Sequence, residues 1–167
     1  MLLGLSSSRY SIKGYTLIEM AVTLAIISII AAVAMPFAKT ISIRSKEMVL
    51  QSSLREIRSA IDNFHNDWQE GKINKIEKIA SPNGYPITLD VLVGGVRLSG
   101  KLEARKKYMR RIPMDPFADP TLRPSLHWQR IGYMDAPDTD QWNGEDVYDV
   151  RSLSNRAALD KSLYHDW

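Results

Sequence analysis

The sequence predicts an α+β protein in which a long N-terminal helix, one half apolar and one half amphipathic, packs on a small antiparallel sheet. Three observations carry that expectation. From Met20 to Ala38 there are 19 residues without a charge, and at about 1.5 Å per residue such a helix reaches about 28 Å, close to the hydrocarbon thickness of a bilayer. Leu50, Leu54, Ile57, Ile61, Phe64 and Trp68 then recur at spacings of 4, 3, 4, 3 and 4, one apolar stripe at the helical period. Finally, two strand-like segments, 126–133 and 146–153, flank the turn-rich stretch MDAPDTDQWNGE.

The N-terminal segment starts with Arg9 and Lys13 ahead of the apolar run, as a secretory signal peptide would. The run is longer than a usual signal core, and no small-x-small cleavage site precedes Pro36 and Phe37. A retained membrane anchor is the better reading. Lys39, Arg44 and Lys46 follow the run, so basic residues lie on both sides and do not orient it. Pro36 lacks a backbone donor and clashes with the preceding turn, so a kink or local melting is expected there. Glu19 interrupts the apolar character near the start. It is either an interfacial carboxylate favoured by the helix dipole or one half of an ion pair inside the membrane.

The run Lys13-Gly14-Tyr15-Thr16-Leu17-Ile18-Glu19 resembles the prepilin-peptidase signature of type IV pilins and type II secretion pseudopilins. The signature joins a basic leader ending in glycine, an aromatic residue, Thr-Leu-Ile-Glu and a long apolar helix. The resemblance implies a pilin-like fold, cleavage between Gly14 and Tyr15, and N-methylation of Tyr15. It implies that Glu19 binds the Tyr15 amine of a neighbouring subunit during assembly, and that the helix breaks near Pro36. Most members have Phe where this chain has Tyr15; the aromatic ring is kept. Losing Arg9 and Lys13 with the leader would leave 20 basic against 19 acidic side chains.

The stripe from Leu50 to Trp68 predicts that the helix continues beyond the membrane and packs on a sheet, with Arg55, Glu56, Arg58, Asp62 and Asn63 on a solvated face and Gly71 as its stop. Residues 71–125 read as a connector. Within it, SPNGYPITLDVLVGG predicts a short helix with Thr88 as N-cap and Gly94-Gly95 as stop. KLEARKKYMRRIP predicts a helical turn with Tyr108, Met109 and Ile112 facing inward. The three prolines of PMDPFADP and its surroundings exclude regular helix or central strand. In the second strand Val147, Asp149 and Arg151 alternate with Tyr148, Val150 and Ser152. The expected organisation is therefore a leader at 1–14, a transmembrane and filament-core helix at 15–38, its amphipathic continuation at 39–70, the connector at 71–125, and the sheet with its terminal loop at 126–167.

YMRRIPMDPF resembles the segment before the sheet in the major type II secretion pseudopilins and similar pilin-like proteins, and DVYDVRSLS…ALDKSLYHDW resembles their terminal segment. Those proteins hold the final loop with calcium, whereas typical pilins staple it with a disulfide. This chain has no cysteine. The resemblance implies calcium ligands at Asn155, Asp160 and Asp166 with the Leu153 carbonyl, although Arg156 and Lys161 bring positive charge nearby. The acidic loop from Asp135 to Asp149 fails the EF-hand pattern, with Trp142 at the place of a third ligand.

Nothing in the sequence points to catalysis. His65, His127 and His165 form no i,i+4 pair, and no phosphate loop or nucleophile elbow is present. The excess of 22 basic over 19 acidic residues is too small to argue for nucleic acid. The expected function is a structural subunit, most simply a type II secretion pseudopilin that assembles with its own copies and other pilin-like subunits. The implied partners are a prepilin peptidase and an inner-membrane platform, and the C-terminal domain would be periplasmic. The alternatives are a monomeric membrane-tethered binding module, or a pilin for adhesion, motility or DNA uptake.

Overall fold

The computed structural model describes residues 14–75, 78–100, 105–136 and 139–167. Most of the expected leader, including Arg9 and Lys13, lies outside them, as do residues 101–104 of the basic segment. The chain divides into two units, one ending at Ile41 and one spanning Ser42–Trp167. Among the described residues, helix α1, Leu17–Gln69, supplies the regular structure of the first unit and the N-terminal element of the second.

In the first unit the apolar side chains of α1 are exposed, as those of a lone membrane-length helix must be. In this structure α1 runs through Pro36 as continuous helix. Proline removes one backbone N–H donor from the helix there. The Thr40 hydroxyl also donates to the Pro36 carbonyl at 3.1 Å.

The second unit is built on the predicted stripe. Leu50, Leu54, Ile57, Ile61 and Phe64 are buried, and Trp68 packs at the edge of the same core. α1 ends at Gln69, and Gly71 adopts a positive φ just beyond. Helix α2, Leu89–Gly94, follows Thr88, which is extended but makes no side-chain cap bond. α2 buries Leu89 and Leu92 against the stripe. Gly95 closes it at φ +82°, donating its N–H to Val91 at 3.2 Å, a conformation that glycine adopts without a Cβ penalty.

The basic segment departs from expectation. Arg105–Lys106 forms strand β2, antiparallel to β1, Val96–Arg97. The Tyr108 and Met109 N–H groups both bond the Leu92 carbonyl, at 2.9 and 3.1 Å. Those bonds tie the chain to α2 through a bend at Tyr108, with no helical turn. Met109 and Ile112 do face inward, and Tyr108 is half-buried.

Strands β3, Trp128–Ile131, and β4, Asp149–Ser152, pair antiparallel with Trp128 opposite Ser152 and Ile131 opposite Asp149. Both are shorter than predicted. A short 3₁₀ turn, Pro124–Leu126, occupies the start of the first segment. Val147 leaves the strand alternation because its N–H bonds Pro86 at 2.8 Å, which draws its side chain into the core. Arg58 is not on a solvated face: its guanidinium holds the Asp149 carboxylate at 2.7 Å and the Val150 and Trp167 carbonyls at 3.1 and 2.6 Å.

Candidate functional site

The N-terminal motif is displayed on the first turn of α1. Leu17 begins the helix, so Thr16 is its N-cap and Glu19 its third residue. The Glu19 N–H donates to the Thr16 hydroxyl at 3.2 Å, and the Thr16 N–H donates back to Glu19 Oε2 at 3.0 Å. This is a reciprocal capping box, which satisfies two of the backbone donors a helix start leaves over. The Thr16 hydroxyl also reaches Glu19 Oε2 at 3.1 Å. The Thr-x-x-Glu spacing was legible in the sequence as such a box, and the sequence reading passed over it. Tyr15 is 84% exposed, and Gly14 has open space around it. The Gly14–Tyr15 bond thus lies in extended chain just ahead of a capped helix, with the carboxylate of Glu19 one turn further on.

The residues that the resemblance implies as calcium ligands lie in the terminal loop, each in its own setting. Asp160 Oδ1 accepts the Ser162 hydroxyl at 2.6 Å and the Ser162 N–H at 2.9 Å. These bonds, the hydroxyl's first, hold the Asp160 carboxyl below its usual range. Asp166 lies beside His165 Nδ1 at 3.4 Å, while Asn155 and Leu153 face solvent. Among the described residues no three His, Cys, Asp or Glu side chains gather closely enough to hold an ion. Protein groups close the terminal loop. Ala157 bridges Leu163, Ala158 N–H bonds Ser162, and Trp167 Nε1–H bonds the Ser162 hydroxyl at 2.8 Å. Lys161 takes φ +74° in this loop, the region that favours glycine.

Glu47 fastens this loop to α1. Its Oε1 accepts the Tyr164 hydroxyl at 2.9 Å and the Leu159 N–H at 2.8 Å. Tyr164 is buried and stacks on Phe117 with centroids 4.1 Å apart. Burial first, and then the Glu47 carboxylate, push its hydroxyl up to about 12. Sequence reasoning missed Glu47, although a signal was present. One more step of three residues back from Leu50 along the apolar stripe lands on this charged side chain.

A buried carboxylate was also missed. Asp67, at the end of the stripe, accepts Lys106 Nζ at 2.5 Å and the Tyr108 hydroxyl at 2.8 Å, with Lys72 Nζ at 3.7 Å. Burial alone would raise its pKa, but these partners more than offset it and hold the group below the ordinary range. Tyr108 is pushed up, by burial and then by Asp67. The three histidines occupy separate settings. His65 stacks on Tyr85, His127 is buried with Nε2 near the Leu122 carbonyl, and His165 meets Asp140 at 3.0 Å.

The comparisons with known proteins fall on the N-terminal motif. The family model for the prokaryotic N-terminal methylation motif matches residues 9–35. The type IV major fimbrial protein FimA of Dichelobacter nodosus is 40% identical over 60 residues, a match that spans 36% of this chain and 38% of that protein. No solved structure matches. Over this N-terminal segment the chain is thus similar to a type IV fimbrial protein, and it carries the methylation motif on a capped helix long and apolar enough to cross a membrane.

Proposed function

We propose that this chain is a structural subunit of a type IV pilus-like filament, and specifically a pseudopilin of a type II secretion system. The observation that carries the filament reading is the N-terminal geometry: an exposed Gly14–Tyr15 bond, then a capped helix whose Glu19 carboxylate has solvent on its open side. Cleavage there by a prepilin peptidase would create an amine at Tyr15, the natural cationic partner for Glu19 in low dielectric. A subunit waiting in the inner membrane, its C-terminal unit in the periplasm, would dock beside an earlier copy and bury the exposed apolar face of α1. The choice of secretion over adhesion, motility or DNA uptake rests on the YMRRIPMDPF and terminal segments and on a loop closed without cysteine. No catalytic role and no cofactor are part of this reading. The assembly platform and other pilin-like subunits are its partners.

The test compares the unaltered chain with Glu19→Ala and Glu19→Asp in a host carrying the peptidase. Intact mass should show loss of residues 1–14 and one added methyl group. Glu19→Ala should insert in the membrane and fold normally yet yield few sheared filaments, with Glu19→Asp between. Normal filament yield from Glu19→Ala would reject the pairing. Met1 retained on the membrane protein would leave a tethered module as the better account.

A further inference from the structure

The second unit carries two exposed features on opposite flanks of α1. The first is a cleft of about 720 Å³ beside Val49, Ser53 and Glu56 of the helix. Its other walls include Val93 of α2 and Met114, and Arg111 and Arg123 of the connector also line it. Neither arginine has an ion pair or hydrogen bond among the described residues. The cleft's own carboxylates, Glu56 and Asp90, belong to the helices and form no salt bridge with the arginines.

The second feature is a protruding turn after β3. Met134 is 71% exposed and Tyr133 50%. Tyr133, Tyr148 and Tyr85 pack ring on ring, with centroids 5.1–5.6 Å apart, and Tyr85 stacks on His65 of α1. The rings touch one another and leave no room for a small ligand between them, so they form a rigid platform under the turn. Carboxylates surround it. Asp62 and Glu145 are exposed without ion pairs among the described residues, and Asp146 is buried with Oδ1 on the Tyr133 N–H and Oδ2 unpartnered.

At about 100° per residue, Val49, Ser53 and Glu56 fall within roughly 60° of one another around α1, and Asp62 and His65 fall roughly opposite. The buried stripe lies between these two flanks. One copy therefore cannot bring its own turn to its own cleft.

We propose that the Tyr133–Met134 turn of one copy seats in the Val49–Val93–Met114 cleft of the next, with Asp62 and Glu145 facing Arg111 and Arg123. An apolar knob on a rigid aromatic base meets an apolar cleft, and unpaired carboxylates meet unpaired guanidinium groups, which steer and orient docking. The contact joins unlike surfaces of identical chains. Such a heterologous contact repeats without closing when its rotation does not complete a ring, which is the geometry of a filament. The proposal rests on the filament reading and adds the surface that sets how the second units stack.

The chain has no cysteine, so introduced thiols report one contact only. Met134→Cys and Met114→Cys are made singly and together in the full chain, and membranes are treated with a mild oxidant. The double variant should give a ladder of covalent multimers, and the two single variants co-expressed should give a mixed dimer. Adding Arg111→Glu with Arg123→Glu should reduce the ladder about tenfold, a loss of about 1.4 kcal/mol. Absence of the mixed dimer, or a ladder indifferent to the charge reversal, overturns the proposal. Sheared filaments from the cysteine-free chain are scored in parallel. Filaments without cross-links would overturn this surface alone, and cross-links without filaments would overturn the filament reading and leave the contact standing.

Discussion

Replacing Asp67 with Asn removes one charge and keeps the shape of the side chain. In the native unit this carboxylate is 7% exposed and takes Lys106 at 2.5 Å, Tyr108 at 2.8 Å and Lys72 at 3.7 Å. Breaking a buried ion pair costs roughly 3–5 kcal/mol, but the Lys106 side chain is 44% exposed and can turn to water, which discounts the loss. The hydrogen bond from Tyr108 survives in weakened form on the amide oxygen. About 2 kcal/mol is left, within the range for hydrogen bonds to charged groups. For a unit of this size that lowers Tm by roughly 5–10 °C, measured on the full chain in detergent at neutral pH. The pH dependence has a defined sign. A carboxyl held below its ordinary pKa stabilises the fold fully above that ordinary value, and the contribution is lost as pH falls through the lowered one. The gap between the native chain and Asp67→Asn should therefore close only in acid, below the usual aspartate range. A gap under about 1 °C at neutral pH, or one of the same size at both pH values, would refute the reasoning.

Gly84→Ala should destabilise by about 2 kcal/mol or more, because φ is +84° and a Cβ would lie 2.4 Å from Trp68 Cε3; an unchanged melting curve would show that the Trp68 ring gives way freely. Tyr164→Phe should cost about 1 kcal/mol by removing the bond to Glu47 while the ring stays packed on Phe117, read as a fall in Tm. Chelation with EDTA should leave Tm of the full chain unchanged, since Ser162, Glu47 and Trp167 close the terminal loop; a lowered Tm would place an ion among Asn155, Asp160 and Asp166 after all.

Periodicity made the long helix legible. A stripe at 4 and 3 spacing has one meaning for side chains that must leave water together, and every residue from Leu50 to Phe64 on it is buried. The turn residues likewise marked where α2 stops and where the connector avoids regular structure. Local pattern failed where distant groups decide. Residues 105–109 read as part of a helical turn, but strand β1 pairs with Arg105 and Lys106 and the Leu92 carbonyl takes the Tyr108 and Met109 N–H groups. Arg58 reads as a solvated charge until Asp149, 91 residues away, supplies its partner. Asp67 is a similar case: beside the stripe, it gives no sign that a lysine 39 residues on and a tyrosine 41 residues on will fold against it. At the N-terminus the reverse happened, and a purely local device, the capping box, stood in the sequence unread.

That box changes what Glu19 substitutions can report. Glu19→Ala removes two things at once, the charge and the cap on Thr16, so a loss of assembly from it could follow from a frayed helix start. Glu19→Gln separates them, because a glutamine at the third helical position serves the capping box as glutamate does but offers no charge to an amine. The geometry says that the two duties need not compete. Both Thr16 bonds fall on Oε2, and Oε1 has no partner among the described residues. A cation could therefore approach Oε1 while the cap stays closed and holds the carboxylate in one orientation. If Glu19 acts through its charge, Glu19→Gln should keep the helix content and membrane insertion of the native chain and yet lose filaments as Glu19→Ala does. If it acts as a cap, Glu19→Gln should assemble normally while Glu19→Ala frays, seen as lost amide protection at Thr16 and the first turn of α1. Native filament yield from Glu19→Gln would return Glu19 to the role of an interfacial cap and remove the ion pair from the assembly step.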